Sequence, residues 1–180
     1  MGELIPNFLS GENHAYLFKT LCGRGDSDQF YWLYSPNVTS FEDNNFYFGN
    51  TLIDRTTDNT YVSPFYHEIA GPILGRMNYN VITRVKCNLY TNMGVQKKHG
   101  YHVDFNFDHK VLLYSVNTCD GYTEFEDGEI IKSVANQAYI FDGKRKHQSV
   151  TQTDTDIRVN VNVVFHLNYV YKYVMLRRFV

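Results

Sequence analysis

From residue 81 onward the chain divides into short segments that are typical of β-strands. The candidate strands lie at 81–90, 101–105, 111–116, 123–125, 138–141, 148–151 and 157–167. Turn dipeptides separate several of them, namely Asp120-Gly121, Asp127-Gly128 and Asp142-Gly143. Several short strands joined by such turns predict an all-β sandwich or barrel.

Two helices are predicted ahead of these strands. Ser10 is a good N-cap, and the helix that follows it, up to residue 21, carries apolar residues on one face. Ser63-Pro64 places an N-cap before a proline and opens a second helix that runs to Met77, with a kink or a break at Gly71-Pro72. Short aromatic strands such as 46–48 lie between the two helices. A mainly β fold with flanking helices, the double-stranded β-helix or jelly roll, fits this order best.

Composition limits the classes of protein that need to be considered. The chain has 180 residues and a 16% aromatic content, with 15 Tyr and 13 Phe, which favours β-structure over a helical bundle. We expect one domain over 1–180, with a helical N-terminal support at about 8–80 and a jelly-roll core at about 81–168. The net charge of −2 gives no general attraction to nucleic acid or to an acidic membrane.

The cysteines and the N-terminus predict a cytoplasmic protein. Cys22, Cys87 and Cys119 are odd in number and form no CxxC pair, so we expect reduced thiols. No secretory signal precedes the first helix, and no stretch is apolar enough to span a membrane. Oligomeric state is left open by these features.

His102 and Asp104 lie two positions apart in the predicted strand 101–105. Residues i and i+2 of a strand project from the same face, so this pair can bind one object together. Apolar residues alternate with the pair and form the opposite face of the predicted strand: Tyr101, Val103 and Phe105. The sequence turns directly afterwards, which places the pair near a strand end, where barrels open.

His147 supplies a third candidate ligand from a distant strand. It follows a polar turn, 142–146, and leads into the candidate strand 148–151. Two histidines and one carboxylate on one side of a metal leave positions open on the other side, an arrangement diagnostic of non-haem Fe(II) oxygenases. If His147 is not the distal ligand, the remaining candidates are His99, His109 and His166.

Arg158 begins an alternating segment in which even positions are polar and odd positions are valine. Asn160 and Asn162 share its face, and asparagine is poor in strands, so we expect this face to line a polar pocket. A guanidinium is a planar fork that binds a carboxylate through two hydrogen bonds. The alternative is an exposed edge strand.

Over about 81–167 the chain resembles the Fe(II)- and 2-oxoglutarate-dependent dioxygenases, and most closely their prolyl 4-hydroxylase-like branch. A tyrosine-bearing strand ahead of the His-x-Asp pair is matched by 84–90, which ends at Tyr90. A Tyr-x-x-Asn strand and a Gly-x-Thr turn are matched by Tyr114 to Asn117 and by Gly121 to Thr123. Residues 7–10, which lead into the first predicted helix, also resemble the usual entrance to this fold. Small proteins of this kind are common among phage-encoded oxygenases.

The resemblance implies a role for each of these residues. It implies that His102, Asp104 and His147 bind Fe(II). It implies that Arg158 binds the distal carboxylate of 2-oxoglutarate, helped by Tyr90 or Tyr114. Further cofactor contacts are assigned to Asn88 and Asn160. The implied cofactors are Fe(II) and 2-oxoglutarate, with ascorbate in a supporting role, and 2-oxoglutarate is decarboxylated to succinate.

The substrate is the least determined part. The branch implies hydroxylation of a peptidyl or free amino-acid residue, with proline first, so the expected partner is a polypeptide or a small molecule. Lys97-Lys98 and Lys144-Arg145-Lys146 flank the predicted metal site and could form a basic rim for an acidic polypeptide or a nucleic acid. Asn88 and Asn160 also resemble positions of the alkylated-nucleobase demethylases, but the second arginine of that group is Val164 here. A non-enzymatic jelly-roll binding or structural protein is the alternative from another class.

Overall fold

The computed structural model describes residues 2–23, 30–39 and 45–167. The helical elements are α1 (Gly11–Cys22), a π-helical turn (Tyr66–Ala70) and α2 (Gly71–Leu74). The strands are β1 (Glu3–Ile5), β2 (Leu33–Ser35), β3 (Tyr47–Asp54), β4 (Tyr61–Val62), β5 (Val81–Thr91), β6 (Lys110–Ser115), β7 (Cys119–Phe125), β8 (Ile130–Ser133), β9 (Gln137–Asp142), β10 (His147–Val150) and β11 (Ile157–His166).

Two antiparallel sheets form the molecule. The main sheet has the order β1-β9-β6-β11-β5-β3-β2, with β4 beside β3, and the small sheet has the order β10-β7-β8. Side chains of both sheets pack together, since Phe125 of the small sheet contacts Tyr139 and Phe141 of the main sheet. The predicted jelly roll is confirmed.

The two faces of the main sheet have different partners because side chains alternate along a strand. Three residues of β5 and three of β11 point outward and join an outer core beneath α1 and α2: Val85, Cys87, Leu89, Val159, Val161 and Val163. The residues that alternate with them point inward, toward the small sheet: Arg84, Lys86, Asn88, Tyr90, Asn160 and Asn162. Strand β11 lies between β5 and β6, so the edge-strand alternative for Arg158 is wrong.

The first helix is confirmed and the second is shorter than predicted. The Ser10 side chain accepts a hydrogen bond from the Asn13 amide at the start of α1. The second helix begins at Tyr66 instead of Ser63-Pro64, and Met77 lies beyond its end. The π-helical turn changes to α-helix at Gly71-Pro72, where proline lacks the amide hydrogen that would continue the earlier pattern. The predicted break is therefore confirmed.

Some strand predictions need correction. Residues 101–105 form no strand; only His102 is bridged, and Tyr101, placed on a packed face, is 42% exposed. Asp120-Gly121 lies inside β7, whereas the other two turn dipeptides do lie in turns. Strands β1 and β8 were not predicted, and the predicted strand 46–48 overlaps the start of the longer β3, which begins at Tyr47. The N-terminal support therefore contributes β2, β3 and β4 to the main sheet as well as helices.

The three cysteines lie within the described ranges and are free, with Cys87 and Cys119 buried and Cys22 half-buried. No helix in the described part of the chain is long and apolar enough to cross a membrane.

Candidate metal and cofactor site

A cavity of about 280 Å³ lies between the two sheets. Its polar wall comes from the inward face of β5 and β11, and its opposite wall comes from β7, β10 and the loop that follows β5. The residues predicted to bind the metal all line it, as do three of those assigned to the cofactor: His102, Asp104, His147, Asn88, Tyr90 and Asn160. The sheet pairing thus brings together residues that are far apart in sequence.

Backbone pairing with β10 positions the loop that carries His102. The amide of each residue in the His102–His147 bridge donates to the carbonyl of the other, both at 3.0 Å. A second bridge joins Lys98 to Val150. Gly100 has a φ of 86°, a left-handed conformation that favours glycine, and it separates the two bridges. The loop is therefore an interrupted extra strand of the small sheet.

Asp104 is held by side chains instead of by strand pairing. Its Oδ1 lies 2.5 Å from Arg84 Nη2, and its Oδ2 accepts from Asn162 Nδ2 at 3.4 Å. The same Oδ2 lies 3.9 Å from His147 Nε2. Burial would raise the pKa of the Asp104 carboxyl, but the charge of Arg84 and the nearby imidazoles outweigh it and lower that pKa. Asp104 is therefore an ionised carboxylate facing an imidazole.

The two imidazoles are oriented by carbonyl groups. His147 Nδ1 lies 3.0 Å from the Arg145 carbonyl, and His102 Nδ1 lies 3.3 Å from the Gly100 carbonyl. A carbonyl can only accept, so each Nδ1 carries a hydrogen, and in the neutral ring this is the tautomer that leaves Nε2 to bind metals. The ring centres are 4.7 Å apart. Burial lowers the pKa of the His147 imidazole, which favours this neutral form.

Two imidazole nitrogens and one carboxylate are donors that suit a divalent transition metal. Within the described residues, however, no three His, Cys, Asp or Glu side chains are spaced as a formed metal site. Asp104 turns one oxygen to Arg84 at 2.5 Å and leaves the other 3.9 Å from His147. The two imidazoles and the Asp104 carboxylate nevertheless line one cavity.

The other three candidate histidines have different surroundings. His99 stacks on Tyr90 and lies 2.7 Å from the Ser149 hydroxyl. His109 and His166 both pack against Phe107.

Arg158 lies beside the cavity with its guanidinium fully buried. Its Nε donates to Ser133 Oγ at 2.7 Å, and its Nη2 donates to Thr123 Oγ1 at 3.1 Å. Its Cζ lies 5.5 Å from the centre of the Tyr90 ring. Thr123 and Tyr90 both line the cavity. The buried Nη1 has no hydrogen-bond partner in the described structure, so this end of the cavity fits a carboxylate such as that of 2-oxoglutarate.

The Gly-x-Thr motif serves Arg158, although it lies in β7 and not in a turn. A Cβ at Gly121 would lie 2.8 Å from Arg158 Cδ and 3.0 Å from a backbone oxygen, so a side chain there would displace the arginine. Thr123 supplies the hydroxyl that accepts from Nη2. Both motif residues therefore adjoin the Arg158 side chain, Gly121 beside its stem and Thr123 at its guanidinium.

Tyr114 is the one assigned cofactor residue that the structure removes from the site. Its hydroxyl lies 2.7 Å from His14 Nδ1 of α1, and it also donates to Asn136 at 3.3 Å. Tyr114 points to the outer core because it has the opposite parity to Leu113, which lines the cavity. The assignment of Tyr114 is wrong, since a shift of one residue reverses the face of a strand.

Asn88 and Asn160 do lie on the cavity wall, where they are partners in the β5–β11 register. Asn88 Nδ2 donates to Asn160 Oδ1 at 3.0 Å. The two amides therefore bind each other and cross-link the floor of the cavity.

The sequence interpretation missed several polar residues at the site. Arg84, Lys86 and Tyr47 line the cavity, and Ser133 binds Arg158. The signal for Arg84 and Lys86 was present, since they alternate with the buried Val85 and Cys87 in a strand that ends at Tyr90. Nothing in the sequence pairs Arg84 with Asp104, because the contact spans 20 positions across a loop.

The predicted basic rim is largely neutralised. Lys98 pairs with Glu124 at 2.7 Å, and Arg145 pairs with Asp127 and Glu129 at 2.6 and 2.7 Å. Lys144 and Lys146 also have carboxylate partners. These ion pairs leave little free positive charge for a nucleic acid or an acidic polypeptide at the rim.

Solved structures establish what this fold resembles. A 2OG-Fe(II) oxygenase family oxidoreductase from Burkholderia pseudomallei aligns with a TM-score of 0.66 and 8% identity over 93% of this chain and 86% of that chain. A Pseudomonas putida prolyl-4-hydroxylase aligns with a TM-score of 0.57 and 11% identity over 93% and 92%. A Trichoplax adhaerens prolyl hydroxylase, solved with a hypoxia inducible factor peptide fragment, gives 0.60 and 14% over 92% and 83%.

Comparison by sequence finds no match, either to a model of a protein family or to a curated protein. At 8 to 14% identity the structural likeness concerns the fold. The chain therefore has the fold of the Fe(II)- and 2-oxoglutarate-dependent oxygenases.

Proposed function

We propose that this protein is an Fe(II)- and 2-oxoglutarate-dependent oxygenase. The observation that carries the proposal is the pairing of two groups, one that lines the cavity and one that lies beside it. At one end, His147 Nε2 lies 3.9 Å from the Asp104 carboxylate, and the centre of the His102 ring lies 4.7 Å from that of His147. At the other end, a buried guanidinium keeps one nitrogen without a partner in the described structure. The fold is that of the oxygenases named above.

Each group would have a defined task. His102, Asp104 and His147 would hold the iron, and Arg158 would bind the distal carboxylate of 2-oxoglutarate, with Thr123 and Ser133 fixing the guanidinium. Bound iron would supply the activation of dioxygen that couples decarboxylation of 2-oxoglutarate to hydroxylation. Tyr90, which is buried between Tyr47 and His99, would close the cavity wall beside the cofactor.

The finer proposal concerns the substrate. We propose hydroxylation of a peptidyl or free amino-acid residue, with proline as the first candidate, because two of the structural neighbours are prolyl hydroxylases. The ion pairs around the basic rim give no support to a nucleic acid substrate. We further propose that residues 1–180 act as one catalytic domain.

Anaerobic titration tests the proposed function directly. Fe(II) and 2-oxoglutarate together should produce visible absorption in the wild-type protein and in Tyr114→Phe, whose hydroxyl lies outside the cavity. Asp104→Ala should produce none. Under air, the wild type should release succinate. A wild-type protein that shows neither the visible absorption nor the release of succinate would instead be a jelly-roll binding protein.

A further inference from the structure

Lys86 and Tyr47 form a partition between the cavity and a second, outer groove. Both residues line the cavity of about 280 Å³ and also the groove, which measures about 220 Å³. Exposed apolar side chains border the groove, including Leu33, Tyr34 and Tyr61. A ligand that extends out of the cavity past this partition would enter the groove.

A glycine allows Lys86 to reach this position. Lys86 lies opposite Thr51 in the β3–β5 register, and its chain runs over Gly49 toward Tyr47. A Cβ at Gly49 would lie 3.1 Å from Lys86 Cε and 3.3 Å from Tyr47 Cε2. The Lys86 ammonium donates to the Tyr47 hydroxyl and lies 4.8 Å from the centre of that ring. The sequence therefore keeps room for a cation at the partition.

Lys86, unlike Arg84, lines the cavity without a carboxylate partner. Arg84 pairs with Asp104, and Lys98 and Arg145 pair with acidic residues of β7 and the turn that follows it. Among residues 2–23, 30–39 and 45–167, no carboxylate oxygen lies within 4.0 Å of the Lys86 ammonium. An ammonium has three donors, and Tyr47 uses one. Two donors are available to a ligand.

Lys86 and Arg158 lie four positions apart along the β5–β11 ladder, since Arg158 is paired with Tyr90 and Asn162 is paired with Lys86. Strands β3 and β11 flank β5 on opposite sides. The Tyr47 ring stacks on Tyr90 at 5.9 Å, and Arg158 Cζ lies 5.5 Å from the same ring centre. The two cations therefore serve different positions in the cavity. When Arg158 binds one carboxylate, Lys86 remains available to bind another anion.

We propose that Lys86 binds a carboxylate of the substrate, positioned by Tyr47 and by the space above Gly49. The proposal rests on the proposed function and specifies its substrate class as one that carries a carboxylate close to the hydroxylated residue. That carboxylate belongs either to a free amino acid or to an acidic side chain of a peptide. The cavity is at the lower end of the usual size for a pocket that encloses a whole ligand, so the rest of a peptide extends into the outer groove.

Matched probes distinguish the two sources of carboxylate. One pair is L-proline and L-prolinamide; the other is two capped peptides in which glutamate or glutamine flanks a proline. Binding is measured by calorimetry on the wild type, with and without Fe(II) and 2-oxoglutarate under anaerobic conditions. At least one carboxylate probe should bind about tenfold more tightly than its amide, since hydrogen bonds to charged groups contribute on this scale.

Three variants attribute this preference to Lys86. Lys86→Met should abolish it, Lys86→Arg should retain most of it, and Gly49→Ala should weaken it by displacing the ammonium. Lys144→Met removes an exposed lysine that is already paired with Asp108 and should behave like the wild type. The affinity for 2-oxoglutarate should be the same in all four variants.

The possible results separate this proposal from the proposed function. Equal binding of each carboxylate and its amide by the wild type, or an unchanged preference in Lys86→Met, would overturn the role of Lys86 even if succinate is released. A 2-oxoglutarate requirement that rises in Lys86→Met would also overturn it, by assigning Lys86 to the co-substrate. A preference that depends on Lys86 in a protein without iron-dependent turnover would support the anion site while the oxygenase proposal fails.

Discussion

The two ends of the cavity are built in different ways. Arg158 lies in β11, which is paired with β5 and β6 on both sides, and its guanidinium is bound by two hydroxyls. His102 and Asp104 lie in a loop that is joined to β10 by isolated bridges, and Asp104 depends on Arg84 for its position. The arginine end thus lies on a strand that is paired on both sides, whereas at the metal end the loop of His102 and Asp104 is held by isolated bridges and by the Arg84 side chain. Substitutions should therefore have different consequences at the two ends.

The largest effect is expected at the metal end. Replacing His102, Asp104 or His147 with alanine should abolish iron-dependent succinate release, because each removes one of three donors. The stability effects should differ. His147 is 7% exposed and packs against Phe125 and Phe141, so its loss should lower the free energy of unfolding by about 2 kcal/mol, whereas His102→Ala should cost much less.

Manganese binding, followed by electron paramagnetic resonance, and urea denaturation measure these two quantities on the same samples. Equal destabilisation by the two histidine variants would show that the loop carrying His102 is as tightly packed as β10. Wild-type metal affinity in His147→Ala would remove it from the ligand set.

The second prediction separates function from stability at the arginine end. Arg158 is 1% exposed and has no carboxylate within 4.0 Å in the described ranges, so its charge is costly to bury. Arg158→Met should weaken 2-oxoglutarate binding by about a hundredfold, through the loss of two charge-assisted hydrogen bonds. Arg158→Lys should weaken it by about tenfold. The free energy of unfolding of Arg158→Met should equal or exceed that of the wild type.

Calorimetric titration of 2-oxoglutarate and thermal unfolding check the pair of results, with metal affinity as the control. Unchanged 2-oxoglutarate affinity in Arg158→Met would disprove the assignment of the co-substrate.

Arg84 should show that the metal end depends on side-chain contacts. Arg84→Met keeps an unbranched apolar stem but removes the guanidinium and leaves Asp104 Oδ1 without its 2.5 Å partner. Loss of a group that orients a ligand typically costs between tenfold and a hundredfold in metal affinity, and we expect about tenfold here. The 2-oxoglutarate affinity at saturating metal should stay near wild type. A metal affinity equal to that of the wild type would mean that Asn162 alone orients the carboxylate.

As pH falls, protonation of residues at the metal end should lower the free energy of unfolding before any effect arises from the arginine end. Burial lowers the pKa of His147 below its unfolded value near 6.5, so the unfolded chain takes up this proton first as pH falls. Stability of the metal-free protein is therefore lost from about pH 6.5 downward. Asp104 affects stability at a lower pH than His147. Its pKa is lowered in the folded state, so the stability that it contributes is lost below about pH 3.9, near its unfolded value.

Urea denaturation at a series of pH values between 7 and 5 tests the histidine effect, with His147→Gln as the comparison. The wild-type slope should be steeper than that of the variant. Identical slopes would assign the effect to His14 and His166, whose pKa values burial also lowers.

The smallest effect is expected from a matched pair of tyrosines. Tyr114→Phe loses hydrogen bonds to His14 and Asn136 in the outer core and should lower the free energy of unfolding by about 1 kcal/mol. It should leave the 2-oxoglutarate requirement unchanged. Tyr90→Phe changes the cavity wall beside Arg158 and should raise that requirement. Steady-state succinate release at varied 2-oxoglutarate measures both, and a raised requirement in Tyr114→Phe would restore its original assignment.

Local patterns determined most of the fold. Alternation along β5 and β11 specified which side chains enter the core and which enter a polar pocket, because strand periodicity is a property of the chain itself. Ser10 and the Gly71-Pro72 break were predicted for the same reason, since capping and proline geometry act over a few residues. The order of His102, Asp104, His147 and Arg158 likewise indicated the candidate site.

Tertiary structure decided which partners those residues have. The sequence could not show that Arg84 binds Asp104, that Gly121 makes room for Arg158, or that Lys86 crosses Gly49. It also misplaced Tyr114 and treated 101–105 as a strand. Each of these outcomes depends on which strand lies next to which and in what register, and register is fixed by contacts between distant segments. The local sequence determines the chemical type of each residue, whereas the packing of the sheets determines which residues become its partners.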